Sequence, residues 1–192
     1  SMTAARSEHI AIRLDSGHVL VFGYGLGSEI YDPSTDRWTP ATNMLPPARY
    51  YSIATELKSR EILVTGGVRS AMYQANCDIY DPIQNSWRTM SNMSQPRAAH
   101  TAILLTSGQV LVTGGETDGG ILATCEMYDP SAGKWSNVTS MTEVRSSHTT
   151  TMLNSGKVLA TAGYGHLHTL ASSEIYDPST GTWHPSARLA LA

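Results

Sequence analysis

The sequence predicts an all-β fold assembled from four copies of one four-stranded unit, and three observations predict it. Tyr-Asp-Pro recurs at Tyr31, Tyr80, Tyr128 and Tyr176, with gaps of 49, 48 and 48 residues. Each of these tyrosines is followed seven residues later by Trp38, Trp87, Trp135 or Trp183, which are all the tryptophans of the chain. Before each Tyr-Asp-Pro an apolar run closes on glycine: Val21-Phe22-Gly23, Val64-Thr65-Gly66-Gly67, Val112-Thr113-Gly114-Gly115 and Ala160-Thr161-Ala162-Gly163. Earlier in each copy stands Arg6, Arg49, Arg97 or Arg145, followed three residues on by His9, Ser52, His100 or His148. These registers set repeats of approximately 2–44, 45–92, 93–140 and 141–189 within a single domain covering 1–192.

Within a copy the first strand follows the Arg and the second is the run ending in glycine. Asp15-Ser16-Gly17, Thr106-Ser107-Gly108 and Asn154-Ser155-Gly156 join the two as tight turns in which glycine takes a positive φ. The third strand ends at the Tyr, Asp-Pro opens the next turn with the ring of proline presetting φ, and the fourth strand carries the Trp. Each copy therefore reads as a four-stranded antiparallel meander. Residues 110–112 are apolar at consecutive rather than alternate positions, so such strands are expected to be buried on both faces, as in sheets stacked around an axis.

Composition narrows the function classes. Thirteen basic and sixteen acidic residues give a formal charge of −3, and no run of Lys and Arg marks a phosphate-binding stripe, so nucleic acid is not an expected partner. The apolar runs at 102–105 and 110–112 are far shorter than the roughly 18 residues that cross a bilayer, so no membrane partner is expected either.

The period near 50, the double glycine closing the second strand, and Tyr and Trp seven apart resemble the Kelch family over essentially the whole chain. The resemblance implies a β-propeller in which each repeat is one blade. Two copies depart from the pattern: Phe22 precedes Gly23, and Ala162 replaces the first glycine of the fourth copy. The first copy also has a shorter loop between its second and third strands, with Gly23 eight residues before Tyr31 where the others are thirteen. Four is the minimum blade count. A closed four-bladed ring is the expected arrangement; the alternatives are a fragment of a larger propeller and a larger ring completed by self-association.

Several residues invite a chemical reading. Each repeated Arg is matched by an acid two before the Tyr (Glu29, Asp78, Glu126, Glu174), and because a buried Arg needs a partner, the pair is expected to fix blade geometry. Tyr and Trp are expected as core between blades. His9, His100 and His148 could be imagined around a channel metal, but inner-strand side chains stand perpendicular to their sheet and should pack between blades. His166 and His168, and the Glu116 to Gly120 segment, offer too few ligands to specify a metal. Cys77 and Cys125 occupy one repeat position on diverging strands and are expected as free buried thiols, which favours a reducing compartment such as the cytoplasm. The sequons at Asn92 and Asn137 point the other way.

An enzymatic alternative comes from the copper-radical oxidases, which are built on Kelch-like propellers; Arg49-Tyr50-Tyr51-Ser52 is similar to the segment carrying their radical tyrosine, with Tyr51 in its place. That chemistry needs a cysteine at the matching position of the preceding blade, where this chain has Glu8. No nucleophile elbow, phosphate loop or HExxH occurs. No catalytic residue, metal or cofactor is therefore assigned, and the expected function is non-catalytic binding or scaffolding of a protein or peptide. The expected face is made by the loops between second and third strands and those entering each first strand, which emerge together and carry Tyr24, Tyr50, Tyr51, Arg69, Tyr73, Glu116, Asp118, Tyr164, His166 and His168. A third reading is an architectural segment of a longer repeat protein.

Overall fold

Every regular element in the computed structural model, which describes residues 2–3, 5–24, 27–41 and 49–190, is a β-strand. The first sheet comprises β1 (Ser7–Arg13), β2 (Val19–Tyr24), β3 (Glu29–Asp32) and β4 (Arg37–Pro40). The second runs β5 (Ile53–Glu56) and β6 (Ile62–Thr65), then a small hairpin of β7 (Val68–Arg69) and β8 (Met72–Tyr73), then β9 (Cys77–Asp81) and β10 (Ser86–Thr89). The third repeats this order with β11 (Thr101–Leu104), β12 (Val110–Thr113), the hairpin β13 (Glu116–Thr117) and β14 (Gly120–Ile121), β15 (Cys125–Asp129) and β16 (Lys134–Val138). The fourth has β17 (Thr149–Met152), β18 (Val158–Thr161), β19 (Ser173–Asp177) and β20 (Thr182–Pro185). All four are antiparallel meanders, and the register repeats: Val64 faces Asp78, Val112 faces Glu126 and Ala160 faces Glu174. The two hairpins occupy the connections between second and third strands, where the sequence predicts only loop.

The turn chemistry accounts for Tyr-Asp-Pro. The Asp carboxylate accepts the backbone N–H two residues on, at 2.8 to 2.9 Å in all four copies, and the intervening proline presets φ. Gly17, Gly108 and Gly156 take φ of 85°, 94° and 81° as expected, whereas the second blade makes the same turn with Arg60 at φ 70°.

Three apolar clusters fill the three spaces between consecutive sheets. Leu14, Leu20 and Phe22 of the first meet Ile62, Val64 and Trp87 of the second. Leu63 and Ile79 then meet Val110, Val112 and Tyr128, while Leu111 and Met127 meet Val158, Ala160 and Trp183. Successive residues of one second strand thus serve opposite neighbours, which is why β6 and β12 are buried throughout. In β18 only Val158 and Ala160 are buried, and Leu159 and Thr161 are half-exposed. These three interfaces join consecutive sheets, and closure into a ring is not shown by them.

The double glycine divides its work between these interfaces and the blade itself. A Cβ on Gly114 would lie 2.3 Å from the Arg145 carbonyl of the next blade. A Cβ on Gly115 would lie 2.6 Å from the Ala98 carbonyl of its own. Both take positive φ, 58° and 96°.

Each repeated Arg is buried against its acid, as expected. Arg97 donates to the Gly114 and Thr124 carbonyls at 2.7 and 3.0 Å and to Glu126 at 2.9 Å. Glu126 in turn accepts the Ser94 N–H at 2.7 Å from the segment entering the blade. Arg145 and Glu174 repeat the arrangement with Thr142, and Arg6 and Glu29 with Thr3. Removing one partner strands a buried charge. Glu126→Ala should therefore lower the free energy of unfolding by about 3–5 kcal/mol, read from urea unfolding at neutral pH.

Between blades, the His100 Nε2 is hydrogen-bonded to Thr65 Oγ1 at 2.8 Å, and that of His148 to Thr113 and Thr101 Oγ1 at 2.9 and 3.1 Å. Burial, reinforced by Arg145, holds His148 down at about 3, and burial with Arg97 holds His100 well below its ordinary 6.5. Unfolding returns both to ordinary values, so below pH 6.5 the unfolded chain takes up protons that the folded one refuses. Stability should be fullest above pH 6.5 and fall as pH drops from 7 to 5 in urea titrations, with a shallower slope in a His100→Gln, His148→Gln variant.

Candidate functional site

Two segments of each blade meet on one face of the blade row. The stretch entering the first strand forms a backbone bridge with the loop after the second: Tyr50 with Val68, Ala98 with Glu116, and Ser146 with Tyr164. The β7–β8 and β13–β14 hairpins are thereby tied to the inner strands, which gives recognition loops a rigid base. At the tip of the first, Ser70 and Ala71 hold φ of 50° and 61°.

Two residues after each repeated Arg, the backbone enters the left-handed region at non-glycine residues: Glu8 (47°), Tyr51 (56°), Ala99 (49°) and Ser147 (50°). Such strain persists only where neighbours enforce it. Here the enforcement runs from blade to blade, as Ala99 N–H donates to the Tyr51 carbonyl at 3.2 Å and Ser147 N–H to the Ala99 carbonyl at 2.8 Å. All four positions line one central cavity of about 390 Å³, together with His100 and His148.

Four of the residues expected on the face come together there. The Tyr50 and Tyr51 rings pack edge to face, 5.3 Å apart. Tyr51 is 48% exposed and donates its phenol to Glu8 Oε1 at 3.0 Å, and this hydrogen bond, more than the charge of Glu8, raises its pKa. Tyr73 donates to Glu116 Oε1 at 3.4 Å across blades, and burial followed by the Glu116 charge raises its pKa. Ser7, Glu8, Tyr50, Tyr51, Ser70 and Ala71 line a neighbouring cleft of about 490 Å³. Arg69 is half-buried in β7 and Asp118 is exposed at the β13–β14 turn.

Tyr164, 55% exposed, and the exposed His166 and His168 form a separate group on the fourth blade, with no described hydrogen bond or ring contact to the first. Tyr24 ends β2 opposite Ser7, and its side chain lies outside the described residues. Glu8 and the Ser70-Ala71 tip were missed as face residues. Glu8 was readable, since it occupies the same place after its Arg as Tyr51 does.

No group of three or more His, Cys, Asp or Glu side chains that could hold a metal occurs among the described residues. The residue beside the Tyr51 phenol is a carboxylate, and a thiol for a cross-link is not at hand: Cys77 and Cys125 are free and buried on the third strands. Burial pushes Cys77 up to about 12 and Cys125 up to about 11, so the thiolate is scarce at neutral pH. Both should resist a disulfide reagent such as DTNB at pH 8 in the folded protein and react once urea unfolds it.

The family model described as Kelch motif matches residues 59–94 and 97–142, which hold β6 to β10 and β11 to β16. No curated protein matches the chain. In both matched stretches the Tyr and Trp rings of adjacent strands pack 5.1 and 5.0 Å apart, and the first and fourth blades repeat that pair at 5.1 and 5.2 Å. The motif in the two central blades, with the same register in the outer two, supports a Kelch-repeat family for the chain.

Proposed function

We propose that this chain is a non-catalytic binding module that holds a protein or peptide on the face where its hairpins and inner-strand entries meet. Kelch repeats generally mediate protein–protein interaction, which sets the class. The observation that carries the reading to a place is the joined aromatic and carboxylate surface of Glu8, Tyr50, Tyr51, Tyr73 and Glu116 beside an open cleft. Tyrosine offers large contact area with few rotatable bonds, and here its backbone is already bridged into place, so little entropy remains to be lost on binding. Phenol faces flanked by Glu8, Glu116 and Asp118 suit a segment carrying Lys or Arg, through cation–π contact and ion pairing together. Tyr164, His166 and His168 extend the surface on the fourth blade, and Arg69 adds a donor on the second.

Peptides selected from a random displayed library against the intact protein provide the test. Basic and aromatic sequences should be enriched, and Tyr51→Ala, Tyr73→Ala and Glu8→Gln together should weaken them at least about tenfold, the scale of a hot-spot residue. Selection of peptides that bind the triple variant equally well would refute the site.

A further inference from the structure

The second blade carries a pair of rings that its scaffold does not require. Tyr50 and Tyr51 fill the two positions after Arg49, where the third blade has Ala98 and Ala99 and the fourth has Ser146 and Ser147. All three blades make the same backbone bridge at the first of these positions and the same left-handed turn at the second. The turn is therefore built equally well without aromatic side chains.

The two rings stand nearly at right angles, with 77° between their planes and 5.3 Å between centroids, so their faces form the walls of a corner. Tyr50 is bonded through both its N–H and its carbonyl to Val68 at the base of the β7–β8 hairpin, at 3.1 and 2.8 Å. The Tyr51 carbonyl accepts the Ala99 N–H at 3.2 Å. The corner is thus held by backbone before anything enters it. It opens on the cleft of about 490 Å³, whose other walls are Glu8 and the small residues Ser7, Ser70 and Ala71. No Lys or Arg lines that cleft, Arg69 included, and Glu8 makes no ion pair among the described residues.

Two ring faces beside an unneutralised carboxylate select a cation. They also discriminate between cations. A primary ammonium brings three N–H donors, and each one stripped of its water needs an acceptor. Ring faces are poor acceptors, and Glu8 Oε1 already accepts the Tyr51 phenol. A trimethylated ammonium has no N–H to leave unsatisfied, and its methyl groups pack on the rings while its charge is attracted to the ring faces and to Glu8. We propose that this corner takes a trimethylated lysine side chain of a partner protein, seated against Tyr50 and Tyr51 with Glu8 facing its charge. The proposal rests on the reading of this face as a peptide-binding surface and narrows its ligand from basic segments to methylated lysine.

An array of peptides with one central lysine in varied flanks tests it, each peptide made with lysine, with trimethyllysine and with the neutral tert-butyl isostere of trimethyllysine. Fluorescence anisotropy on the strongest binders of the intact protein should favour trimethyllysine over both other forms by at least about fivefold, the scale of a partly desolvated cation–π contact. Tyr51→Leu should abolish this preference, Glu8→Gln should reduce it, and Tyr51→Phe should keep most of it because the ring face remains. Circular dichroism melts matching the unsubstituted chain establish that the variants are folded. Lysine bound as tightly as trimethyllysine overturns the proposal and leaves the peptide-binding reading standing. The neutral isostere bound as tightly overturns it as well, as does a preference that survives Tyr51→Leu unchanged. Free choline bound as tightly as the best peptide overturns the assignment to a partner lysine. An array in which no peptide binds in any form overturns both readings.

Discussion

Each blade depends on one buried arginine and its carboxylate. Arg97 reaches the end of β12, the start of β15 and the Glu126 side chain, and Glu126 reaches back to the segment that enters the blade. A meander only four to seven residues deep has little core of its own, so a cross-link between its first and third strands does what a larger core would do elsewhere. The cost of desolvating both charges is offset by hydrogen bonds to both terminal guanidinium nitrogens and to the carboxylate, while the buried Nε of Arg97 and of Arg145 has no partner among the described residues. In Glu174, burial alone would raise the carboxyl, yet the Thr142 N–H and hydroxyl and the Arg145 guanidinium bring it below the usual range. The hydrogen-bonded acid also fixes where each connecting segment ends and the next inner strand begins.

Packing between blades follows from the same periodicity and explains its exceptions. The second glycine contacts its own blade and is present in all four copies, as Gly23, Gly67, Gly115 and Gly163. The first glycine, as Gly66 and Gly114, faces the next blade, and it is replaced in the first and fourth copies. Phe22 takes the place in the first blade, where the second blade offers Ser52 instead of a histidine, and the Phe22 ring packs edge-on to Trp87 at 5.5 Å. Ala162 takes it in the fourth, at φ 58° like Gly114. The departure at Phe22, which reads as an irregularity in the sequence, is thus matched to the surface that it meets.

The same enforcement gives the binding face its character. Strained residues at the inner rim are held by hydrogen bonds passed from blade to blade, from Ser147 to Ala99 and from Ala99 to Tyr51, so Tyr51 presents its side chain on a backbone that does not have to be ordered by a ligand. The surrounding loops, which differ among blades, lie outside the ion-pair and glycine framework.

Strand order, turn positions, the Arg–acid pairing and the burial of both faces of β6 and β12 could all be read from the amino-acid sequence, because each is a local or once-per-repeat rule written four times. The hairpins at Val68 to Tyr73 and Glu116 to Ile121 could not, since two-residue strands carry no periodic signal and Ser70-Ala71 is not a usual turn pair. Nor could the pairing of Tyr51 with Glu8 or of Tyr73 with Glu116, each 43 residues apart in the chain. Those contacts exist only when neighbouring blades are stacked. The sequence by itself determined the unit and its repetition; tertiary structure decided which side chains share the face, because that depends on the angle at which rigid blades meet and not on any residue's local preference.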